Sequence, residues 1–213
     1  RYDDVIGSGP KHVVHYTGHL NSIPPTIDLA VVTTDSFPRA ALVTELGALA
    51  EVKYWLLEKV LAPSIGELEI IQNVTSKSQG AWVNHWLRLP AWFRQLKLLV
   101  SSSHVDFLRI EVSGGELGLA CNATHFIDYV HWLTDVEITN ISTDGLSLTW
   151  EPSKRSGYFE AYGELIVEFE QLALLSIRSE HTNEPVQMKI MWGDNIFNAV
   201  FTDTGTMDVS LSG

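Results

Sequence analysis

The chain has 213 residues, of which 45% are hydrophobic, and it contains 7 Trp and 8 Phe. This length and composition predict one large domain or two small ones with a real core, and they exclude disorder for most of the chain. With 14 basic and 26 acidic residues the formal charge is −12, which excludes general binding to nucleic-acid phosphates. A single cysteine, Cys121, excludes an internal disulfide and a zinc ribbon.

The cellular compartment is predicted from two features of the sequence. No run of about 18 apolar residues is present, and residues 1–4 lack the basic-then-apolar pattern of a signal peptide. We therefore expect a cytoplasmic protein without a membrane partner. The first residue is Arg1 rather than methionine, which is typical of a fragment or a processed product.

Strands and helices alternate in the first half of the chain. Short β-branched runs predict strands over residues 28–34, 52–57, 81–88 and 105–112. Helices are predicted from Ser36 or Pro38 to Ala50, from Ser64 to Val74, and over residues 90–100. Glu67, three residues after Ser64, completes the pattern of a capping box. Because β-α-β repeats favour parallel strands, we expect a partial Rossmann-like parallel α/β unit over residues 1–80.

The pattern changes after a further helix, which is predicted over residues 119–133. Strands are then predicted over residues 136–142, 147–150, 162–170, 172–180, 185–192 and 199–204. Leu165, Val167 and Phe169 alternate with polar residues, which is typical of a strand with one buried face. The pattern predicts an α+β domain over residues 81–213 with an open, largely antiparallel sheet. The uncovered face of that sheet predicts self-association into a homo-oligomer.

Two predicted strand ends carry polar side chains that could do chemistry. Thr33 and Thr34 end the first strand, and Glu58 and Lys59 follow the second. Ligands of open α/β sheets bind beyond the carboxyl ends of the strands, and a lysine placed there can polarise a carbonyl or alcohol oxygen. The alternative is that Lys59 forms only a surface ion pair with Glu58 or a neighbour.

The helix over residues 119–133 has a polar stripe on an otherwise apolar surface. At helical spacing one stripe carries Cys121, Thr124, His125, Asp128 and Trp132. His125 could act as a general acid and base oriented by Asp128, or it could be a core histidine whose hydrogen bonds are satisfied. Because no second cysteine or carboxylate ligand is near, we expect no metal site.

Two further polar groups could bind a ligand. Asn84 and Arg88 lie at the end of the third predicted strand, where they could hold sugar hydroxyls or phosphates, or form a solvated rim. Lys154 and Arg155 form a basic turn in an acidic protein. That turn favours an anionic ligand, and a local ion pair is an equally good interpretation.

The order of these motifs resembles one known family. Glu58-Lys59 at a strand end is followed, about 55 residues later, by Gly114-Gly115 and then by Cys121-Asn-Ala-Thr-His125-Phe-Ile-Asp128. This arrangement is similar to the glucose–fructose oxidoreductase/inositol dehydrogenase (Gfo/Idh/MocA) family. The resemblance implies a Rossmann domain followed by an α/β domain with an open antiparallel sheet. It also implies NAD or NADP as cofactor, and a sugar, cyclitol or nucleotide-sugar as substrate.

The same resemblance implies roles for individual residues. Lys59 and His125 would be catalytic, with Asp128 orienting His125. Thr33, Thr34 and Glu58 would lie beside the cofactor. The residues expected on the substrate side are Asn84, Arg88, Cys121, Asn122, Lys154 and Arg155.

Several positions depart from the family pattern. Val60 replaces a proline, so a cis peptide bond after Lys59 is not expected. Cys121 replaces an aspartate and Leu87 replaces an arginine. The glycine-rich turn that binds a dinucleotide pyrophosphate is absent apart from a weak pattern at Gly7 and Gly9. The alternative hypothesis is therefore a non-catalytic sugar-binding or assembly protein that keeps the scaffold.

Overall fold

The chain forms two compact units, the first ending at Val83 and the second covering Asn84–Gly213. In this computed structural model, the structure describes residues 18–103, 105–115, 117–202 and 206–213. The weak glycine pattern at Gly7 and Gly9, like the N-terminal residues 1–4, lies outside the described residues. The last strand of the first unit ends three residues beyond the boundary expected at residue 80.

The first unit is a parallel three-stranded sheet with two crossover helices. Its elements are β1 (Thr26–Val32), α1 (Ser36–Leu49), β2 (Glu51–Leu57), α2 (Ile65–Thr75) and β3 (Gly80–Val83). The strands lie in the order β1-β2-β3, and both neighbouring pairs are parallel. The predicted parallel α/β unit is therefore confirmed.

Both helices of the first unit cover the same face of this sheet. Helices α1 and α2 contact each other, as expected when consecutive crossovers are right-handed. Beneath them Val32, Trp55 and Leu57 are buried in one core. The opposite face is uncovered, since Val31 is 55% exposed and Trp82 is 56% exposed.

Helix α2 begins where its capping residues predict. The Ser64 hydroxyl accepts a hydrogen bond from the backbone N–H of Glu67 at 3.3 Å. It also donates to the Glu67 carboxylate at 2.9 Å. The hydroxyl therefore satisfies one of the backbone N–H groups that the first helical turn leaves without a partner.

The second unit is built on a seven-stranded mixed sheet. Its elements are α3 (Ala91–Ser102), β4 (Leu108–Gly115), α4 (Leu119–Thr134), β5 (Ile138–Leu146), β6 (Glu151–Pro152), β7 (Phe159–Glu160), β8 (Gly163–Phe169), β9 (Ala173–Glu180), β10 (Gln187–Trp192), β11 (Asn195–Phe201) and β12 (Met207–Ser212). The sheet order is β12-β11-β10-β4-β9-β8-β5. Only β4 and β9 pair in parallel within it, so the largely antiparallel prediction is confirmed.

One face of this sheet forms the core of the second unit with α3 and α4. Phe126 and Tyr129 of α4 and Phe93 of α3 are buried in the same cluster as Ile110 and Leu175 of the sheet. The phenol of Tyr129 is so deeply buried that its pKa is raised. The predicted alternation is confirmed in β10 and at the end of β8, where Val167, Phe169, Met188 and Ile190 are buried and their neighbours are more exposed, while Leu165 is only partly buried.

Three predictions of secondary structure were wrong in part. The third strand ends at Val83, and the chain then turns into a short 3₁₀ helix over Trp86–Arg88. Residues 147–150 are not a strand. Strand β5 continues to Leu146 instead, and Leu148 is 99% exposed, so the apolar alternation there does not reflect burial. Strand β12 was not predicted, since its residues are mostly exposed at the sheet edge.

The stability of the second unit should depend on Glu164 at acid pH. A hydrogen bond from Ser176 at 2.6 Å, followed by the contact with Arg178 at 3.2 Å, lowers the pKa of this carboxyl. A lowered folded-state pKa contributes stability above the unfolded pKa of about 4.3, and the contribution is lost as pH falls through the folded value. In the unsubstituted chain the urea concentration at the midpoint of unfolding should fall as the pH is lowered below about 5. We expect this fall to be smaller in Glu164→Gln.

The exposed Glu184 provides the matched control for this carboxyl. Glu184→Gln should leave the pH dependence of the urea midpoint as it is in the unsubstituted chain. An equally small fall in the two variants would show that the contacts of Glu164 are not responsible.

Candidate functional site

Four predicted site residues of the first unit lie at one edge of its sheet. Val32 pairs with Leu57 at the carboxyl ends of β1 and β2, so Thr33 and Glu58 follow neighbouring strands. The backbone N–H of Glu58 donates to Val32 O at 3.0 Å. Thr34 and Lys59 come next, and both side chains are partly buried. The structure therefore brings together at this edge the four residues that were predicted from two separate strand ends.

A buried arginine of α1 joins the two strand-end segments. Arg39 is 1% exposed and donates to Thr34 O, to Val60 O at 2.5 Å and to Leu61 O at 3.0 Å. These bonds satisfy backbone carbonyls that have left the sheet. Arg39 was not among the predicted site residues, although a charged residue directly before the apolar run 40–43 is a signal that could have found it.

The peptide bond between Lys59 and Val60 is cis. The expectation that valine at residue 60 would prevent a cis bond is therefore wrong. The carbonyl groups of Val60 and Leu61, directly after this bond, are the ones that Arg39 holds.

In the second unit, the ring of His125 lies close to the ring of a second histidine, His85. His125 is 7% exposed, and its Nδ1 atom lies 3.4 Å from Nδ1 of His85. The two rings are perpendicular, with centroids 5.4 Å apart, and the Trp86 ring also lies edge-on to His125. His85 is partly buried. His85 was not among the predicted site residues, because nothing in the sequence links it to a residue 40 positions later.

Asp128 is bound by Arg88. Arg88 donates through Nε to Asp128 Oδ2 at 2.7 Å and through Nη2 to Oδ1 at 2.5 Å. Both carboxylate oxygens are thus engaged by one guanidinium, the geometry that arginine favours with carboxylates. The structure gives Asp128 a different partner from the predicted one, His125. It also joins Arg88, a predicted substrate ligand, to Asp128, a predicted positioning residue.

The other predicted substrate ligands occupy separate places in the second unit. Cys121 and Asn122 lie in the first turn of α4, where Asn122 donates to Leu117 O at 2.7 Å. Asn84 directly follows β3 and is partly buried. Lys154 and Arg155 are exposed in the turn between β6 and β7.

Among the residues that the structure describes, no group of three or more His, Cys, Asp or Glu side chains could hold a metal ion. None of the helices in this part of the chain has both the length and the apolar character needed to cross a membrane.

The comparisons with known proteins give matches only among solved structures. No protein-family model and no curated protein matches the sequence. The WlbA dehydrogenase from Bordetella pertussis, solved in complex with NADH and UDP-GlcNAcA, is 15% identical with a TM-score of 0.62. The dehydrogenase MviM from Clostridium difficile is 14% identical with a TM-score of 0.58. A super-repressor mutant of Gal80p from Saccharomyces cerevisiae is 16% identical with a TM-score of 0.61.

These matches cover most of this chain and less than two thirds of the other proteins. The covered shares of this chain are 85%, 87% and 92%, and those of WlbA, MviM and Gal80p are 61%, 63% and 64%. At these identities the likeness shows the fold. The chain therefore shares the α/β fold of these solved proteins, and the resemblance found in the sequence is supported at the level of the fold alone.

The contact between Arg88 and Asp128 should stabilise the second unit measurably. Two hydrogen bonds and partial burial favour a coupling of about 1 kcal/mol in a double-mutant cycle of Arg88→Ala and Asp128→Ala, measured by urea unfolding. Arg109 and Glu111 provide the matched pair, since they are 3.7 Å apart and both about half exposed. Their coupling should be near zero. Equal coupling in the two pairs would contradict this interpretation.

Proposed function

We propose that the protein is an NAD(P)-dependent oxidoreductase that transfers hydride to or from a sugar, cyclitol or nucleotide-sugar. The observation that carries the proposal is that Thr33, Thr34, Glu58 and Lys59 directly follow the carboxyl ends of the neighbouring parallel strands β1 and β2. Open parallel sheets bind nucleotides at that edge. The fold is also one in which dehydrogenases have been solved, among them WlbA with NADH and UDP-GlcNAcA.

In this proposal Lys59 binds the reacting oxygen of the substrate. An ammonium at a strand end can donate a hydrogen bond to an alcohol or carbonyl oxygen and stabilise the negative charge that develops there. Arg39 bonds to the carbonyls of Val60 and Leu61, directly after Lys59, and so restrains the backbone from which this side chain projects. Thr33, Thr34 and Glu58 would supply polar contacts to the cofactor beside it.

In this proposal His125 is the general acid and base that transfers the substrate proton. His125 is buried, so it needs a route by which a proton can leave, and His85 Nδ1 at 3.4 Å supplies one. Asp128 lies on the same helix as His125 and is bound by Arg88 from the preceding 3₁₀ helix, and this pair would orient the substrate hydroxyls.

The described residues fit one part of a nicotinamide cofactor. The Thr34 hydroxyl is buried and has no hydrogen-bond partner in the described part of the chain, so a polar group bound at this edge would satisfy it. Thr33, Thr34 and Glu58 would hold that part. When bound, the nicotinamide supplies the hydride acceptor or donor. The described residues include no glycine-rich turn for the pyrophosphate.

The open face of the large sheet is the proposed surface for a homo-oligomer. Opposite the helices, Glu168, Leu174, Arg109 and Met191 form one row across four strands through their pairing. This row mixes apolar and oppositely charged side chains, as protein interfaces do. Sugar or nucleotide-sugar substrates are the other proposed partners.

Cofactor titration of the full chain tests the proposal. We expect NADH or NADPH to quench tryptophan fluorescence in a saturable way at or below millimolar concentration. Lys59→Met should keep this binding and lower turnover on the best substrate of a sugar and cyclitol panel by about 10²-fold or more, because the oxygen loses its donor. Lys77→Met, at an exposed lysine of the same unit, is the control and should change neither. No quenching by either cofactor would exclude the oxidoreductase.

The alternative is a non-catalytic sugar-binding or assembly protein on the same scaffold. It is favoured by Cys121 in place of the family's aspartate, and by the likeness to Gal80p, whose solved form is described as a super-repressor. A fold does not fix a function. This alternative predicts sugar binding, measured by calorimetry, that Lys59→Ala does not change. A large loss of turnover in Lys59→Ala would remove it.

A further inference from the structure

The segment between β5 and β8 forms a hairpin with one polar and one apolar side. Strands β6 and β7 pair Glu151 with Glu160 and Pro152 with Phe159. Because side chains alternate along a strand, Trp150 lies on the same side as Pro152 and Phe159. Trp150 and Phe159 are each 59% exposed. We call residues 147–160 the hairpin.

The polar side attaches the hairpin to the rest of the second unit. Glu160 accepts a hydrogen bond from the backbone N–H of Ala120 at the start of α4. Glu151 lies 3.2 Å from Nε2 of His181. The two glutamates therefore hold the hairpin in place, and its apolar side faces solvent together with the exposed Lys154 and Arg155 of the turn.

A shallow hollow lies at the opposite end of β5. It has a volume of about 240 Å³ and is lined by Thr124, Ile127, Asp128, His131, Glu137 and Ile138. This is smaller than the roughly 300–1,000 Å³ of sites for small molecules. Ile127 and Ile138 make it apolar. Its rim is acidic, since Glu137 is exposed and its backbone N–H donates to the Glu170 carboxylate at 3.4 Å.

The hairpin and the hollow have complementary properties but cannot meet within one chain. The hairpin has a basic turn beside its apolar side, with Glu151 and Glu160 on the attached side, and the hollow is apolar with an acidic rim. The hollow lies at Ile138 and the hairpin begins after Leu146, which are eight residues apart along β5, or about 26 Å at 3.3 Å per residue. Leu148 is 99% exposed, so none of the described residues of its own chain covers it.

We propose that the hairpin of one copy of this chain docks on the hollow of a second copy. The exposed apolar side chains, with Leu148 foremost, would cover Ile127 and Ile138. Lys154 and Arg155 would face Glu137 and Glu170. A chain with a formal charge of −12 repels its own copies, so a local basic turn against an acidic rim specifies where they can meet. Two such contacts exchanged reciprocally give a closed dimer.

The observations behind this docking surface are independent of the proposed enzymatic function, although the family resemblance also places Lys154 and Arg155 on the substrate side, and the surface differs from the open face of the large sheet. Surfaces of this kind matter because exposed apolar residues grouped beside charges mark interaction sites on proteins. A side chain as exposed as Leu148 gains most of its burial only when a partner covers it.

Sedimentation equilibrium of the full chain tests the docking by charge reversal. We expect Lys154→Glu and Glu137→Lys each to weaken self-association about tenfold or more, because each places like charges opposite one another. The chain carrying both substitutions should associate within about threefold of the unsubstituted chain. An equal mixture of the two single variants should form mixed dimers, because one contact then joins the two substituted positions and the other joins the unsubstituted Lys154 and Glu137, with opposite charges at both.

Matched controls separate docking from general effects of charge and hydrophobicity. Lys77→Glu makes the same change in charge at an exposed lysine of the first unit and should leave association unchanged. Leu148→Ser should weaken association about tenfold, whereas Leu98→Ser, at another exposed leucine (69%), should not.

Three results would overturn the docking. The first is a chain that stays monomeric at high concentration. The second is association that is indifferent to Lys154→Glu and Glu137→Lys, which would place the contact on another face such as the open sheet. The third is a doubly substituted chain that associates as weakly as the single variants. None of these results bears on cofactor binding, so they leave the proposed oxidoreductase function to its own experiment.

Discussion

The packing of helix α4 on the seven-stranded sheet is the constraint on which the second unit's candidate site depends. Phe126, Tyr129 and Val130 are buried against the sheet, and this fixes the rotation of the helix about its axis. The remaining positions are then set by helical geometry. Asp128 must face the segment that follows β3, where Arg88 binds it, and His125 must face His85. Any change that shifts the helix would move both contacts together.

Local patterns were sufficient to predict most elements of the fold. Strands β8 and β10 could be predicted from the alternation of apolar and polar residues, and the start of α2 from its capping residues. Both signals are local because burial and capping act over a few residues. The same patterns were misleading at residues 147–150, where apolar residues alternate without being buried. Leu148 and Trp150 look like a strand face in the sequence, and only the tertiary structure shows that nothing covers them.

The candidate site was harder to predict than the fold because its contacts join distant residues. The strand-end residues Thr33 and Glu58 could be placed side by side, since parallel neighbours share an edge. The partners of His125 and Asp128 could not, because each lies 40 positions away in a segment that was expected to be a strand. Helical spacing placed Asp128 near His125 on one stripe, and a guanidinium from another element was the stronger partner for the carboxylate.

The relation between this fold and its chemistry rests on a few side chains. The same architecture occurs in dehydrogenases and in Gal80p, at identities of 14–16% to this chain. The shared scaffold supplies the carboxyl ends of parallel strands and a helix packed on a sheet. These backbone elements do not perform hydride transfer by themselves. At the carboxyl ends of β1 and β2 this chain has Lys59, Thr33 and Thr34. The buried hydroxyl of Thr34 lacks a partner among the described residues. A polar molecule bound at this position would supply the partner that the Thr34 hydroxyl lacks among the described residues, and it would offset a burial cost of about 1–3 kcal/mol.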